Sequence, residues 1–210
     1  KIIDILHNEY DGVIDWYSIS ADFKDFIDCR IVTSNFWKEL LINKYGVEDK
    51  KIAVTRNPVD TDLYDPDKFD AKTICRSYKL HPDKIVISFI GRLHHQKGLD
   101  TFLALAESMS GDEDFQFVIA GDGELRQTVI DKLKIQTNIS YLGYFSTVEK
   151  ILAMTDVLVC PSRYEGAPLI GLEAASMNTA LIAPDIVGFR EQITEGKFGM
   201  LYQASMLVQQ

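Results

Sequence analysis

The sequence predicts an α/β fold: a Rossmann-like, doubly wound parallel sheet preceded by part of a second Rossmann-like unit. Three observations predict it. Short apolar, β-branched runs such as IVISFIG (Ile85 to Gly91) and FQFVIAG (Phe115 to Gly121) end in glycine, as strands buried on both faces do. Apolar residues at spacings of three and four follow, as with Leu99, Phe102, Leu103 and Ala106. The alternation then persists to the end of the chain, and strands joined by helices pair in parallel through right-handed crossovers.

Taken in order, Ile85 to Gly91 is a strand and Leu99 to Met109 a helix. Phe115 to Gly121 is a strand, Glu124 to Lys134 a helix, Ile139 to Leu142 a strand and Val148 to Met154 a helix. Val157 to Cys160 is a strand, Pro168 to Met177 a helix with proline in its first turn, and Ala180 to Ala183 and Gly199 to Tyr202 are strands. Before them runs a weaker version of the same rhythm. Ile2 to Leu6, Arg30 to Thr33 and Ile52 to Val54 are strands, and Tyr17 to Ile27 and Phe36 to Tyr45 are helices. The Asp- and Pro-rich stretch NPVDTDLYDPDKFDA (Asn57 to Ala71) is loop-like. The expected organisation is therefore residues 1–56 as the remnant of a first Rossmann-like domain, 57–84 as linker and entry, and 85–210 as the principal domain.

Composition narrows the function. A 210-residue chain with 46% hydrophobic residues can bury a sizeable core, and a formal charge of −9 argues against nucleic acid as a partner. Any anion must be held by a local pocket. Cys29, Cys75 and Cys160 lack metal-ligand or CxxC spacing and read as buried thiols in a reducing compartment. His81, His94 and His95 likewise have no metal-site pattern and read as solvent-facing, so no metal is expected. No apolar run reaches the length of a membrane span.

In doubly wound sheets ligands bind beyond the carboxyl ends of the strands. Three loops there are unusual. GRLHHQKGLD (Gly91 to Asp100) presents Arg92 and Lys97, a fork and a point charge suited to a diphosphate, although a solvated basic loop would have the same residues. GDGELR (Gly121 to Arg126) is a tight turn that caps a helix. CPSRYEGAPLIGLEAAS (Cys160 to Ser176) places Gly166 and Pro168 before a helix whose first amides, those of Leu169 and Ile170, form an anion site backed by the helix dipole. Glu165 precedes that helix and Glu173 lies within it among apolar neighbours. Carboxylates there suit sugar or ribose hydroxyls better than phosphate.

Together, GRLHHQKG, GDGELR, PSRYEGAPLIGLEAAS with its E-x7-E spacing, and GFREQITEGKFGMLY resemble the donor domain of a retaining glycosyltransferase of family four, with the GT-B fold. VTSNFWKELLINKYGVEDKKIAVTRNPVDTDLY resembles that family's join between its two domains. The resemblance implies a nucleotide sugar held by the second domain, with UDP-, GDP- and ADP-sugars all open, and no cofactor or metal. It implies that Arg92 and Lys97 neutralise the diphosphate, Glu165 contacts the transferred sugar, Glu173 holds the ribose, and Leu142 to Phe145, including Tyr144, lie near the base. His7, in DILHNEYD, resembles the family histidine that faces the donor sugar; a structural histidine is the alternative.

The acceptor implied is a sugar, glycolipid or polysaccharide, at a cytoplasmic site with peripheral association at the inner membrane face left open. The family's Gly-Gly before its later glutamate appears as Gly188-Phe189, so that loop is expected to differ or to pack Phe189 inward. The chain reads as an internal slice, lacking most of the first domain, that binds its donor but is itself inactive. Exposed edges of the remnant are expected to pack on a second copy or to be mobile. Two other readings stay open: a non-catalytic nucleotide-binding module, and a nucleotide-sugar epimerase on the same fold.

Overall fold

The computed structural model describes residues 1–6, 16–193 and 198–203, which form two parallel sheets. The first has the order β1 (Ile3–Leu6), β2 (Cys29–Val32), β3 (Ile52–Val54), with α1 (Trp16–Asp22) and α2 (Asn35–Asn43) between them in sequence. The second contains β4 (Ile85–Ile90), β5 (Phe115–Ala120), β6 (Ile139–Gly143), β7 (Val157–Val159), β8 (Ala180–Pro184) and β9 (Gly199–Tyr202). Its spatial order is β6-β5-β4-β7-β8-β9, with every pairing parallel. Strand order reverses between β4 and β7, and ligands of such sheets bind at that crevice.

The strands form where the sequence places them because both faces of the second sheet are covered. On one face Phe89, Phe117, Ile119 and Val159 meet Leu99, Phe102, Leu103 and Ala106 of α4 (Leu99–Ser108) and Val129 of α5 (Arg126–Lys132). Phe102 lies between Phe89 and Phe117, with ring centroids 5.6 and 5.8 Å away, distances at which aromatic pairs attract. On the other face Val86, Val118, Leu158 and Leu181 meet α3 (Ala71–Ser77), α6 (Val148–Ala153) and α7 (Leu169–Ser176) through Cys75, Ile151, Leu152 and Ala174.

One segment differs from expectation. The helix expected to reach Ile27 stops at Asp22, and residues 23–27 continue as tight turns. Phe23 and Phe26 lie exposed there, with no packing to hold a longer helix. The stretch expected to be loop, Asn57 to Ala71, is irregular apart from one 3-10 turn at Pro66–Lys68, and α3 starts at its end, where the Asp70 side chain accepts a hydrogen bond from Lys72 N at 3.1 Å and caps it.

The sheets are joined by a contact across the chain. α8 (Val187–Arg190) ends beside Glu191, whose carboxylate accepts hydrogen bonds from Asn35 N (3.1 Å) and Phe36 N (2.8 Å). Both amides belong to the start of α2, which Ser34 Oγ also caps by accepting from Trp37 N. A side-chain acceptor at a helix start contributes about 1 kcal/mol, so Glu191 gives α2 from a distance what Ser34 gives it locally. Val187 packs on the core of the first sheet beside it.

Candidate functional site

The loops after β4 and β7 flank the reversal point and are bonded to each other. Gly98 adopts φ 67°, and a Cβ there would lie 1.9 Å from Pro161 O, so only glycine lets the two loops approach this closely. Arg163 forms a fork on Asp100 at 3.1 and 2.7 Å and donates to His95 O at 2.6 Å. Its backbone amide donates to Gln96 O at 2.8 Å. Gln96 Nε2 reaches Tyr164 O at 3.0 Å, and Gln96 Oε1 accepts from Arg92 Nη2 at 3.2 Å. The Arg163 guanidinium holds the Asp100 carboxyl below the usual range.

This framework brings Lys97 and Glu165 together. Lys97 Nζ bonds directly to Glu165 Oε1, and Ser162 Oγ donates to the same oxygen at 2.7 Å. The Glu165 side chain is only 9% exposed, a burial a carboxylate tolerates when paired and hydrogen-bonded. Arg92 is exposed at the rim. Cys160, behind the pair, is fully enclosed, and burial, followed by the Glu165 charge, pushes its thiol up to about 12. It stays protonated and takes no part as a nucleophile.

Gly166 and Pro168 lead into α7, with Pro168 as its N-cap at φ −67° and ψ 127°. Leu169 is half-exposed and Ile170 partly buried, so the first turn stands at the mouth of the crevice. Its opening amides lack partners within the helix, as all helix starts do. Glu173 sits one turn further along. Its Oε1 accepts from the Tyr64 hydroxyl at 2.9 Å, and burial raises its carboxyl above the usual range. Between the sheets, Thr33, Ser34, Arg56, Asn57, Gly166 and Gly188 help to line a cavity of about 190 Å³.

Of the residues singled out in the sequence, Arg92, Lys97, Glu165, Gly166, Leu169 and Ile170 converge at the reversal point, and Glu173 stands beside them. Tyr144 follows β6, two strands from β4, and is exposed. His7 lies outside the described residues. His94 is partly exposed and has a structural role besides: its Nδ1 accepts from Gln96 N at 3.1 Å. Phe189 packs inward, fully buried. Asp100, Ser162, Arg163 and Tyr64 were missed, because each acquires its role from a partner distant in sequence or, for Ser162, from the carboxylate that the folded loop turns toward it. Among the described residues no cluster of three or more His, Cys, Asp or Glu is arranged to hold a metal, and no helix is long and apolar enough to cross a membrane.

Residues 70–209 match the family described as Glycosyl transferases group 1. An uncharacterized glycosyltransferase of Methanocaldococcus jannaschii is 27% identical over 176 residues, covering 79% of this chain and 44% of that protein. The UDP-Gal:alpha-D-GlcNAc-diphosphoundecaprenol alpha-1,3-galactosyltransferase of Escherichia coli is 34% identical over 162 residues, 72% of this chain and 41% of that one. The chain thus spans somewhat less than half the length of these curated relatives. The crystal structure of Anabaena Alr3699/HepE in complex with UDP shares the fold with a TM-score of 0.83 at 18% identity, over 98% of this chain and 59% of that one.

Proposed function

Because this chain belongs to the glycosyl transferases group 1 family, we infer that the whole protein transfers a sugar from a nucleotide sugar to an acceptor with retention of anomeric configuration. Residues 85–210 hold the donor, 1–56 are the end of the acceptor-side domain, and 57–84 join them. The observation that carries this reading is that the loops after β4 and β7 are bonded together at the reversal point, with Lys97 of the first held on the buried Glu165 of the second, Arg92 bonded to Gln96 beside it, and α7 starting just after Glu165. Fixed cations and oriented amides stabilise the charge that develops on a departing nucleoside diphosphate. Lys97 holds one oxygen of Glu165, which leaves the carboxylate able to accept a hydrogen bond from a hydroxyl of the transferred sugar. Glu173 accepts from the ribose, and Tyr144 stands near the base. UDP accompanies two similar proteins, as UDP-Gal in the name of the Escherichia coli galactosyltransferase and as the ligand of Anabaena Alr3699/HepE, and is the first to try. The acceptor is a sugar, glycolipid or polysaccharide, met on the cytoplasmic side. The full-length protein incubated with UDP-sugars should give product of unchanged anomeric configuration by NMR coupling constants; inverted product would overturn the stereochemical part of this reading.

The 210-residue chain is itself expected to be inactive and to self-associate. Ile3 on the first sheet, Trp16 and Ile19 on α1, and Phe23 and Phe26 in the turns after it are exposed and help to line an apolar cavity of about 370 Å³. Exposed apolar surface of this kind drives association. Sedimentation should show a concentration-dependent dimer that Phe26→Asp disperses, and a monomer at all concentrations would contradict it.

A further inference from the structure

Tyr64 comes from the segment that links the two sheets, yet it is buried, 9% exposed, against α7. Three hydrogen bonds strap this segment along the helix. Asn57 Nδ2 donates to Ala167 O at 2.8 Å before its first turn, the Tyr64 hydroxyl donates to Glu173 Oε1 at 2.9 Å, and Ser176 Oγ donates to Tyr64 O at 2.6 Å near its end. A carboxylate has two oxygens and about four lone pairs. A phenol bound to one oxygen fixes the side-chain rotamer and leaves the other oxygen to accept from a ligand. We propose that Tyr64 is a positioning residue for nucleotide recognition, holding the Glu173 carboxylate so that its second oxygen meets the ribose hydroxyls.

The inference rests on the donor-site reading of Glu173. It also predicts a pH signature. Burial raises the Glu173 carboxyl most, Glu149 on α6 adds to this, and the Tyr64 hydroxyl works against both by donating to the charged form. Burial and then the Glu173 contact raise the Tyr64 hydroxyl itself, with smaller contributions from Glu149 and Asp60, so it remains a donor at neutral pH. Removing that donor raises the Glu173 carboxyl further. Nucleotide affinity, which needs the carboxylate, is then lost at a higher pH as acid is added.

The test is titration of this chain and of Tyr64→Phe with UDP, GDP and ADP and with their 2′,3′-dideoxy counterparts, the fold of each variant being checked by circular dichroism. Phenylalanine keeps the buried ring and removes only the hydroxyl. Tyr64→Phe should weaken binding of the preferred ribonucleotide about fivefold to tenfold, leave the dideoxy form within twofold, and shift the acid limb upward. In a Glu173→Gln background the same change should have no further effect on ribose discrimination. If the wild-type chain binds none of the nucleotides, or binds ribo and dideoxy forms alike, the donor-site reading fails and the inference with it. If it discriminates and Tyr64→Phe discriminates equally, the role of Tyr64 alone is overturned.

Discussion

Replacing Lys97 by methionine is expected to destabilise the chain by about 3 kcal/mol, because it strands a carboxylate that folding has taken out of water. Glu165 is 9% exposed and Lys97 25%, so the pair lies beyond the reach of full solvent screening. Methionine retains much of the stem of lysine but no charge. Ser162 Oγ would remain as a donor at 2.7 Å, which limits the loss but cannot neutralise the charge. In a chain of this size the change corresponds to roughly 6–12 °C in Tm. The diagnostic is the double variant Lys97→Met/Glu165→Gln, which removes the unpaired charge and should recover most of the loss. Thermal unfolding of the two variants separates this account from a packing defect, in which the second substitution would recover nothing.

The second large effect is expected at Gly188. A Cβ there would sit 2.5 Å from Glu165 O, 2.7 Å from Glu165 Cβ and 2.8 Å from Glu165 C. These are contacts with backbone and with a buried side chain, which cannot swing aside, so either α8 or the loop carrying Glu165 must move. Gly188→Ala should therefore cost about 2–3 kcal/mol, the range of overpacked cores, and should weaken nucleotide-sugar binding by displacing Glu165. Gly111→Ala is the control, since a Cβ there meets nothing within 4 Å, and it should change stability by less than about 0.5 kcal/mol. Equal denaturation midpoints for the two alanine variants would show that the loop absorbs the added methyl freely.

Gly188 also explains how a loop with an unexpected sequence keeps its form. Phenylalanine at 189 disfavours positive φ, and the structure does not ask for it: Phe189 is helical, in α8, and its ring fills the core. The close approach is made by Gly188 alone. Glu191 then extends from the same short helix to the start of α2, so one turn of chain fixes both the Glu165 loop and the neighbouring sheet.

The central strands of the second sheet, β4, β5 and β7, were legible because they are almost wholly buried and so read as nearly uninterrupted apolar runs, and because each is followed by a loop with distinct chemistry. Arg92, Lys97 and Glu165 could be singled out because they lie in the loops after predicted strands, and Glu173 because it interrupts the apolar helix that follows. What could not be read was which of these groups meet. Lys97 and Glu165 are 68 residues apart, Arg163 and Asp100 are 63, and Tyr64 and Glu173 are 109. Such partners are set by strand order, which local periodicity does not encode. α3 was different, since Asp70 followed by Ala-Lys-Thr was a readable cap hidden in an Asp-rich stretch that resembles a loop.

Arg92, Lys97 and Glu173 are proposed to form one nucleotide-binding site. Calorimetric titration with UDP, GDP and ADP tests it most directly, on the wild-type chain, on Glu173→Ala and on the Arg92→Ala/Lys97→Ala pair, with folding confirmed for each by circular dichroism. The account predicts saturable binding of one nucleotide by the wild type and its loss in both variants; no binding by the wild type, or undiminished binding by folded variants, would contradict it.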